Sequence, residues 1–394
     1  MKIVALHTDF RVYWPARLKH LSKKLQERGD DLFIVEIAGK GSIYAFAGHD
    51  EESSIAWTCL YPNDRIEDIN PAIAKKTIVA KLNELNPDVV LSGAIAFESG
   101  ASAIDWAKAH DKAVVTFDDS KLEDVKRNYL VNTVKKIIYS YIDAIFCPSK
   151  EWLDTYIYWG FKKEAVFYGV DVVDNAFWQQ ESKSPEMLEE YPDYFLCVGR
   201  QIERKNFQME IDTFQSMQLE RRIDLVFVGE GPERISLESS VMEELKNRVH
   251  FIPFQDQESL RSIYQHAMAF ILPSYQEQWG LVVNEAMASG LPVIVSNRCG
   301  SAQPLVEQGK NGFCFSPDNI LELRSYMEKV TKLSQEEMNA MKQESLKIIS
   351  KWGLDRFSEG AMAAIDYSLK NKRKPFYFLG KYLLRKWNGR YKLA

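Results

Sequence analysis

Short apolar, β-branched runs alternate with amphipathic stretches along nearly the whole chain, and no other feature restricts the choice of fold as much. KIVALH is followed by the helical pattern ARLKHLSKKLQERG and then by DLFIVEIA. PDVVLSGA, a helix near 99–110, KAVVTFDD, a helix near 121–140 and DAIFCPS continue the rhythm. Gly29 sits where a helix C-cap is expected. The second half repeats the pattern: YFLCVGR, a helix from about 206, LVFVGEG, VHFIPF, a helix over 257–267, AFILPS, a helix after Gly280, and LPVIVSN. Alternating strand and helix signals imply parallel sheets covered by helices on both faces.

The chain has 394 residues, comfortable for two cores. The polar stretch 172–193 carries two prolines and reads as a linker. The expected organisation is an α/β first domain over 1–171 and a second over 172–352. Residues from about 353 to 394 are expected to pack back on the first. Two doubly wound, Rossmann-like domains of this kind would face each other across a cleft. In open α/β sheets ligands bind beyond the carboxyl ends of the strands. Candidate loops are therefore 7–17, 116–120, 199–206, 229–232, 253–256 and 273–281.

Composition narrows the function classes. A net charge of −5 gives no reason to expect a nucleic-acid partner. Five cysteines, widely spaced and without a CxxC pair, argue for a reducing compartment and against a zinc ribbon. The six histidines show no metal-ligand spacing. The start MKIVALHTDF reads as a strand and lacks a signal-peptide apolar region, so the cytoplasm is the expected location.

The stretch EQWGLVVNEAMASG concentrates the chemistry. A strand ends at Pro273-Ser274, a short loop carries Glu277, and Gly280 opens a helix at about Leu281. The first amides of that helix lack intrahelical partners and carry the positive end of its dipole, a natural seat for phosphate or sugar oxygens. Glu277 lies just before this mouth and Glu285 just over one turn inside it. A single glutamate is more often a solvated acid. That reading leaves unexplained why Glu285 falls among Val282, Val283, Ala286 and Met287, where helical spacing predicts burial. In VGRQIERKN, Arg200 follows a strand and Lys205 lies five residues on. Together they suit a diphosphate; alone, two basic residues carry little weight.

These residues resemble the retaining GT-B glycosyltransferases of family 4. The E-x7-E signature is matched by Glu277, Trp279-Gly280 and Glu285; the strand-Gly-Arg segment by Gly199, Arg200 and Lys205; and the Gly-x-Gly-Pro turn by Gly229 to Pro232. Ala288 to Ile294, CGSAQPLVEQGKNGF and Gly169-Val170-Asp171 fit as well, so the likeness covers most of 165–316. The resemblance implies a GT-B fold and a UDP- or GDP-sugar donor with no metal cofactor. Arg200, Lys205 and the amides near Leu281 and Val282 would hold the diphosphate. Glu277, with the amides of Trp279 and Gly280, would position the sugar, and Glu285 would accept from the ribose. Gly199, Gly231 and Phe254 would line the donor site. The acceptor would be a glycan, a lipid-linked sugar or a small molecule. Alternatives are a nucleotide-sugar epimerase on the same fold and a non-catalytic sugar-nucleotide binder.

The first domain departs from the family pattern. Its first βα loop, DFRVYWPARLKHL, lacks the family's glycine pair, and Arg11 or Arg17 stands as the substitute. The segment VVTFDDS places Asp118 or Asp119 where the family has a histidine, so Asp118 joins the catalytic candidates. Finally, residues 371–394 hold eight Lys/Arg and no acid, leaving the remainder at −13. A helical wheel over 376–387 separates apolar residues from Lys381 and Arg385. Two readings stand equal: attachment to an anionic membrane at the inner face, or packing on the first domain.

Overall fold

The computed structural model describes residues 1–40, 55–183, 193–375 and 378–387. The chain forms two compact units: unit 1, Met1–Val172 with Leu354–Ala394, and unit 2, Val173–Gly353. In chain order unit 1 contains β1 (Lys2–His7), α1 (Trp14–Glu27), β2 (Asp31–Ala38), β3 (Ala56–Tyr61), α2 (Pro71–Leu85) and β4 (Val89–Ser92). It continues with α3 (Glu98–Ala109), β5 (Ala113–Phe117), α4 (Tyr129–Tyr139), β6 (Ala144–Cys147), α5 (Leu153–Tyr158) and β7 (Val166–Tyr168). Unit 2 contains α6 (Asn175–Trp178), β8 (Tyr194–Val198), α7 (Phe207–Ser216), β9 (Asp224–Val228), α8 (Arg234–Ser240), β10 (Val249–Ile252) and α9 (Gln257–His266). It ends with β11 (Ala269–Leu272), α10 (Leu281–Ala288), β12 (Val293–Ser296), α11 (Ala302–Leu305), β13 (Gly312–Phe315), α12 (Ile320–Thr331) and α13 (Gln335–Ile349). The chain then returns to unit 1 with α14 (Leu354–Lys370) and α15 (Phe378–Lys386).

Both sheets are parallel. Unit 1 has strand order β3-β2-β1-β4-β5-β6-β7, and unit 2 has β10-β9-β8-β11-β12-β13. Registers such as Ile3↔Val89 and Phe195↔Leu225 align the carboxyl ends of neighbouring strands. The order reverses between β1 and β4 in unit 1 and between β8 and β11 in unit 2, which leaves a crevice at each switch point. Every residue of β4, β5, β6, β8, β9, β11 and β12 is buried. Coverage on both faces explains why these strands read as continuous apolar runs. In unit 2, Phe195, Leu225 and Ile271 pack under Phe207, Ile211 and Phe214 of α7 and Leu323 and Met327 of α12. In unit 1, Phe357, Ala361 and Ile365 of α14 join Leu18, Leu21 and Leu25 of α1 in the core.

Three expectations need correction. The helix expected near 121–140 begins only at Tyr129, because Asn128 caps it by accepting from the Val131 amide at 2.9 Å. The linker expected over 172–193 contains α6, capped by Asp174, with Trp178 buried; residues 184–192 lie outside the described residues. The strand β3 and helix α2 were not anticipated at all.

The basic tail resolves toward packing. α15 lies against α3 and α4, Leu384 is buried, and Gly380 sits so close to the Tyr141 ring that a Cβ there would meet it at 2.3 Å. Trp387 Nε1 donates to the Ile95 carbonyl at 2.7 Å, and Lys75 Nζ donates to the Leu384 carbonyl at 3.0 Å. The Arg373 amide donates to Asp143 Oδ1 at 2.6 Å. Phe376 and Tyr377, on which the apolar wheel partly rested, lie outside the described residues, as do 388–394. Among the described residues no helix is long and apolar enough to cross a membrane.

Candidate functional site

The carboxyl end of the unit 2 sheet is built by close backbone approach. Gly199 leaves β8 and Gly229 leaves β9, both with positive φ. A Cβ on Gly229 would meet the Gly199 carbonyl oxygen at 2.2 Å, and one on Gly231 would meet the Gln201 carbonyl oxygen at 2.2 Å. Any larger residue would force these loops apart. Gln201 bonds across the gap, its Nε2 donating to the Gly229 carbonyl at 3.0 Å.

Lys205 ends a single 3-10 turn, Glu203–Lys205, rather than starting a helix. Asn206 follows in the left-handed conformation and its Nδ2 donates to the Pro273 and Pro317 carbonyls, both at 3.2 Å. That tie holds the loop after β8 against the loop after β11, on the two sides of the switch point. Lys205 Nζ thereby comes within 2.9 Å of Glu277 Oε1, with both side chains nearly shielded from solvent. The contact is an ion pair without hydrogen-bond alignment. Glu277 is itself fixed by its backbone: its amide donates to the Arg298 carbonyl at 3.3 Å and its carbonyl accepts from Gly300 at 3.0 Å.

Gly280, at φ 95°, turns the chain into α10, and no side chain caps that helix. Its mouth is open to an anion. Ser301 Oγ, which a Cβ on Gly280 would meet at 3.5 Å, Asn284 Nδ2 of α10, Ser274 Oγ of the loop after β11 and Gln201 Oε1 of the loop after β8 are buried without a hydrogen-bond partner. Buried polar atoms are nearly always paired, so orphans gathered at the carboxyl ends of strands mark a place for a polar ligand. Arg200, Leu281 and Val282 are half-buried, and Phe254 is half-exposed in the loop after β10.

Glu285 is buried, as its spacing predicted, and has a partner: Tyr264 Oη donates to Oε2 at 2.9 Å. Trp279 offers no ring to a ligand. Its indole is buried, donates from Nε1 to Asn284 Oδ1 at 2.8 Å and stands 5.3 Å from Trp352. Burial, with the Glu277 charge second, holds the Cys299 thiol well above its usual range, so it stays protonated.

In unit 1 the remaining candidates have partners within the protein. Asp118 is engaged on both oxygens: Oδ1 accepts from the Ser120 amide at 3.0 Å and hydroxyl at 2.6 Å, and Oδ2 accepts from Tyr139 at 2.5 Å. Its job is to fix the loop after β5. Arg17 is buried and its Nε and Nη2 donate to the Val172 carbonyl at 2.9 and 2.7 Å. Arg11 donates to the carbonyls of Ala38 and Gly39. Both guanidinium groups are thus engaged by backbone carbonyls of unit 1. Burial raises the Asp119 carboxyl well above its usual range and pushes Asp171 up to about 6, with Arg17 opposing the second shift. Among the described residues, no group of three or more His, Cys, Asp or Glu is placed to hold a metal ion.

Comparison with known proteins bears on this site directly. Residues 179–347 match the family described as "Glycosyl transferases group 1". The match spans β8 to α13 and contains every unit 2 candidate. An uncharacterized glycosyltransferase of Methanocaldococcus jannaschii is 30% identical over 125 residues, 32% of this chain and 32% of that protein. The mannosylfructose-phosphate synthase of Agrobacterium fabrum is 28% identical over 180 residues, 41% of this chain and 39% of that protein. The chain thus spans about a third of the length of the curated relatives it matches. The structure of Anabaena HepE in complex with UDP-glucose superposes with a TM-score of 0.69, covering 93% of this chain and 99% of that one at 16% identity. At that identity the likeness shows the fold, which is GT-B.

Proposed function

We propose that this chain is a glycosyltransferase that moves a sugar from a nucleoside-diphosphate donor to an acceptor hydroxyl with retention of configuration. The Lys205–Glu277 pair carries the reading, because it sets a cation and an acceptor side by side at the switch point, next to an uncapped helix mouth. The match to the group 1 glycosyl transferases over the same residues supports it.

In the reaction, the bond between the sugar C1 and the diphosphate oxygen breaks and its electron pair leaves with the diphosphate. The acceptor oxygen bonds to C1 on the same face and its proton passes to the departing phosphate oxygen. Charge grows on the leaving group. Arg200, Lys205 and the amides of Leu281 and Val282 stabilise that charge in the role a metal plays elsewhere. Glu277 and the amides of Trp279 and Gly280 orient the sugar hydroxyls. Glu285, held by Tyr264, accepts from the ribose. HepE was solved with UDP-glucose, and one relative is a mannosylfructose-phosphate synthase. UDP- and GDP-sugars are therefore the donors to try first, with glycan, lipid-linked and small-molecule acceptors.

The test is release of nucleoside diphosphate from a panel of UDP- and GDP-sugars, with and without acceptors. A glycosyltransferase releases it slowly alone and faster with its acceptor. Interconversion of donors without release would establish an epimerase instead, and binding without either would establish a sensor.

A further inference from the structure

We propose that one face of unit 1, formed by the loop before α4, the first turn of α4 and the end of α5, docks on an anionic lipid surface. Tyr129 is 83% exposed and Leu130 72%, and Val125, Val131, Ile157 and Tyr158 are also exposed. The Asn128 cap starts α4 at this point, so its three leading residues, all apolar or aromatic, stand out from the body together. α4 and α5 form one surface: Asn132 Nδ2 donates to Tyr158 Oη at 3.2 Å, and Lys136 Nζ lies 3.9 Å from the centroid of the Tyr158 ring.

Soluble chains rarely cluster this much exposed apolar surface without a partner. Charge selects which partner. Lys126, Arg127, Lys135 and Lys136 frame the patch, and no Asp or Glu occurs between residues 125 and 142. Arg127 and Lys135 lie over the buried Trp159 ring at 5.9 and 4.6 Å, so Lys126 and Lys136 are the exposed cations among these four. The acids nearest in sequence are Glu123 and Asp124, just before Val125, and Asp154 on α5; Glu123 and Asp154 are exposed, and the four basic residues stand against these three. Aromatic and branched side chains ringed by Lys and Arg match a headgroup layer that is apolar beneath and negative above. The basic tail was read equally as a lipid contact or as packing; α15 lies against α3 and α4 through Gly380 and Leu384, while its Leu379 and Tyr382 are exposed. Docking of the α4–α5 face on lipid holds whatever sugar the protein transfers.

The experiment is co-sedimentation of the full chain with phosphatidylcholine vesicles, with and without phosphatidylglycerol. The wild type is expected to pellet only when the anionic lipid is present. Tyr129→Ser and Leu130→Ser are each expected to weaken binding about tenfold, the effect of withdrawing one large apolar side chain. Lys126→Gln and Lys136→Gln are each expected to weaken it about fivefold. All four sites are exposed, so melting temperature should not change and donor hydrolysis should persist. Absence of sedimentation, equal sedimentation with neutral vesicles, or unchanged sedimentation of Leu130→Ser would overturn the proposal. So would a concentration-dependent dimer that Leu130→Ser abolishes, because the occupant would then be a second copy.

Discussion

Lys205 Nζ stands 2.9 Å from Glu277 Oε1, and the two side chains come from opposite sides of the β8/β11 switch point. Seventy-odd residues separate them in sequence, yet both are nearly shielded. On the proposed function, this pair would offer a cation to phosphate and a carboxylate to sugar hydroxyls.

Glu277→Gln should lower sugar transfer by about a hundredfold or more, the usual scale for losing one positioned transition-state contact. Binding of the free nucleoside diphosphate should change little, because the carboxylate addresses the sugar. Parallel calorimetry and turnover assays check this; equal losses in both would remove the sugar-orienting role.

The same pair should be coupled in stability. Lys205→Met leaves a nearly buried carboxylate without its cation and is expected to destabilise by about 3 kcal/mol. The double variant Lys205→Met/Glu277→Gln should recover much of that loss. Chemical denaturation of the two single variants and the double measures the coupling directly, and simple additivity would deny it.

Gly229→Ala should damage the donor loops. The new methyl would meet the Gly199 carbonyl oxygen at 2.2 Å, at a φ of 133°. We expect a loss of about 2 kcal/mol or more. Gly160→Ala is the control: it shares a positive φ, but nothing lies within 4 Å of its added Cβ. Similar losses in both would show that backbone strain alone, without the loop contact, accounts for the effect.

Acid should weaken unit 1 through His7. Burial among Phe10, Trp14, Phe97 and Phe117 lowers its imidazole from 6.5 to about 4, with the Glu36 charge opposing. The unfolded chain takes up the proton near 6.5 and the folded one refuses it until about 4. Its contribution is therefore complete above the unfolded value and is lost as pH falls toward the folded one, by at most about 3 kcal/mol. In His7→Phe the drop in melting temperature between about pH 7 and pH 5 should shrink; an unchanged drop would assign acid sensitivity to other groups.

The sequence showed what local chemistry writes down. Buried parallel strands are largely apolar; β8 and β9 run into Gly199 and Gly229 and β11 into Pro273, so these strands and the loops after them were readable, as was the α10 start at Gly280. Glu285 was readable as buried because helical spacing placed it on an apolar face. Long-range partners were not readable. Tyr264 lies 21 residues from Glu285, Val172 lies 155 from Arg17, and Tyr139 lies 21 from Asp118. Each of those bonds gives a polar candidate a partner within the protein that its local sequence does not reveal. Asn206 left a faint signal, an Asn just before a helix, but its tie to Pro273 and Pro317 depends on the assembled sheet. The tail's basic, amphipathic pattern was equally consistent with lipid and with α3 and α4, and its packing through Leu384 and Gly380 depends on those helices, distant in sequence.

Calorimetric titration of nucleoside mono- and diphosphates, for uridine and guanosine, into the wild type and Lys205→Ala reaches the account's centre. The wild type should prefer the diphosphate of its own base by about tenfold or more, and Lys205→Ala should lose most of that preference. A wild type that binds mono- and diphosphate equally, or a Lys205→Ala variant that keeps the full preference, would contradict a diphosphate seat at the mouth of α10.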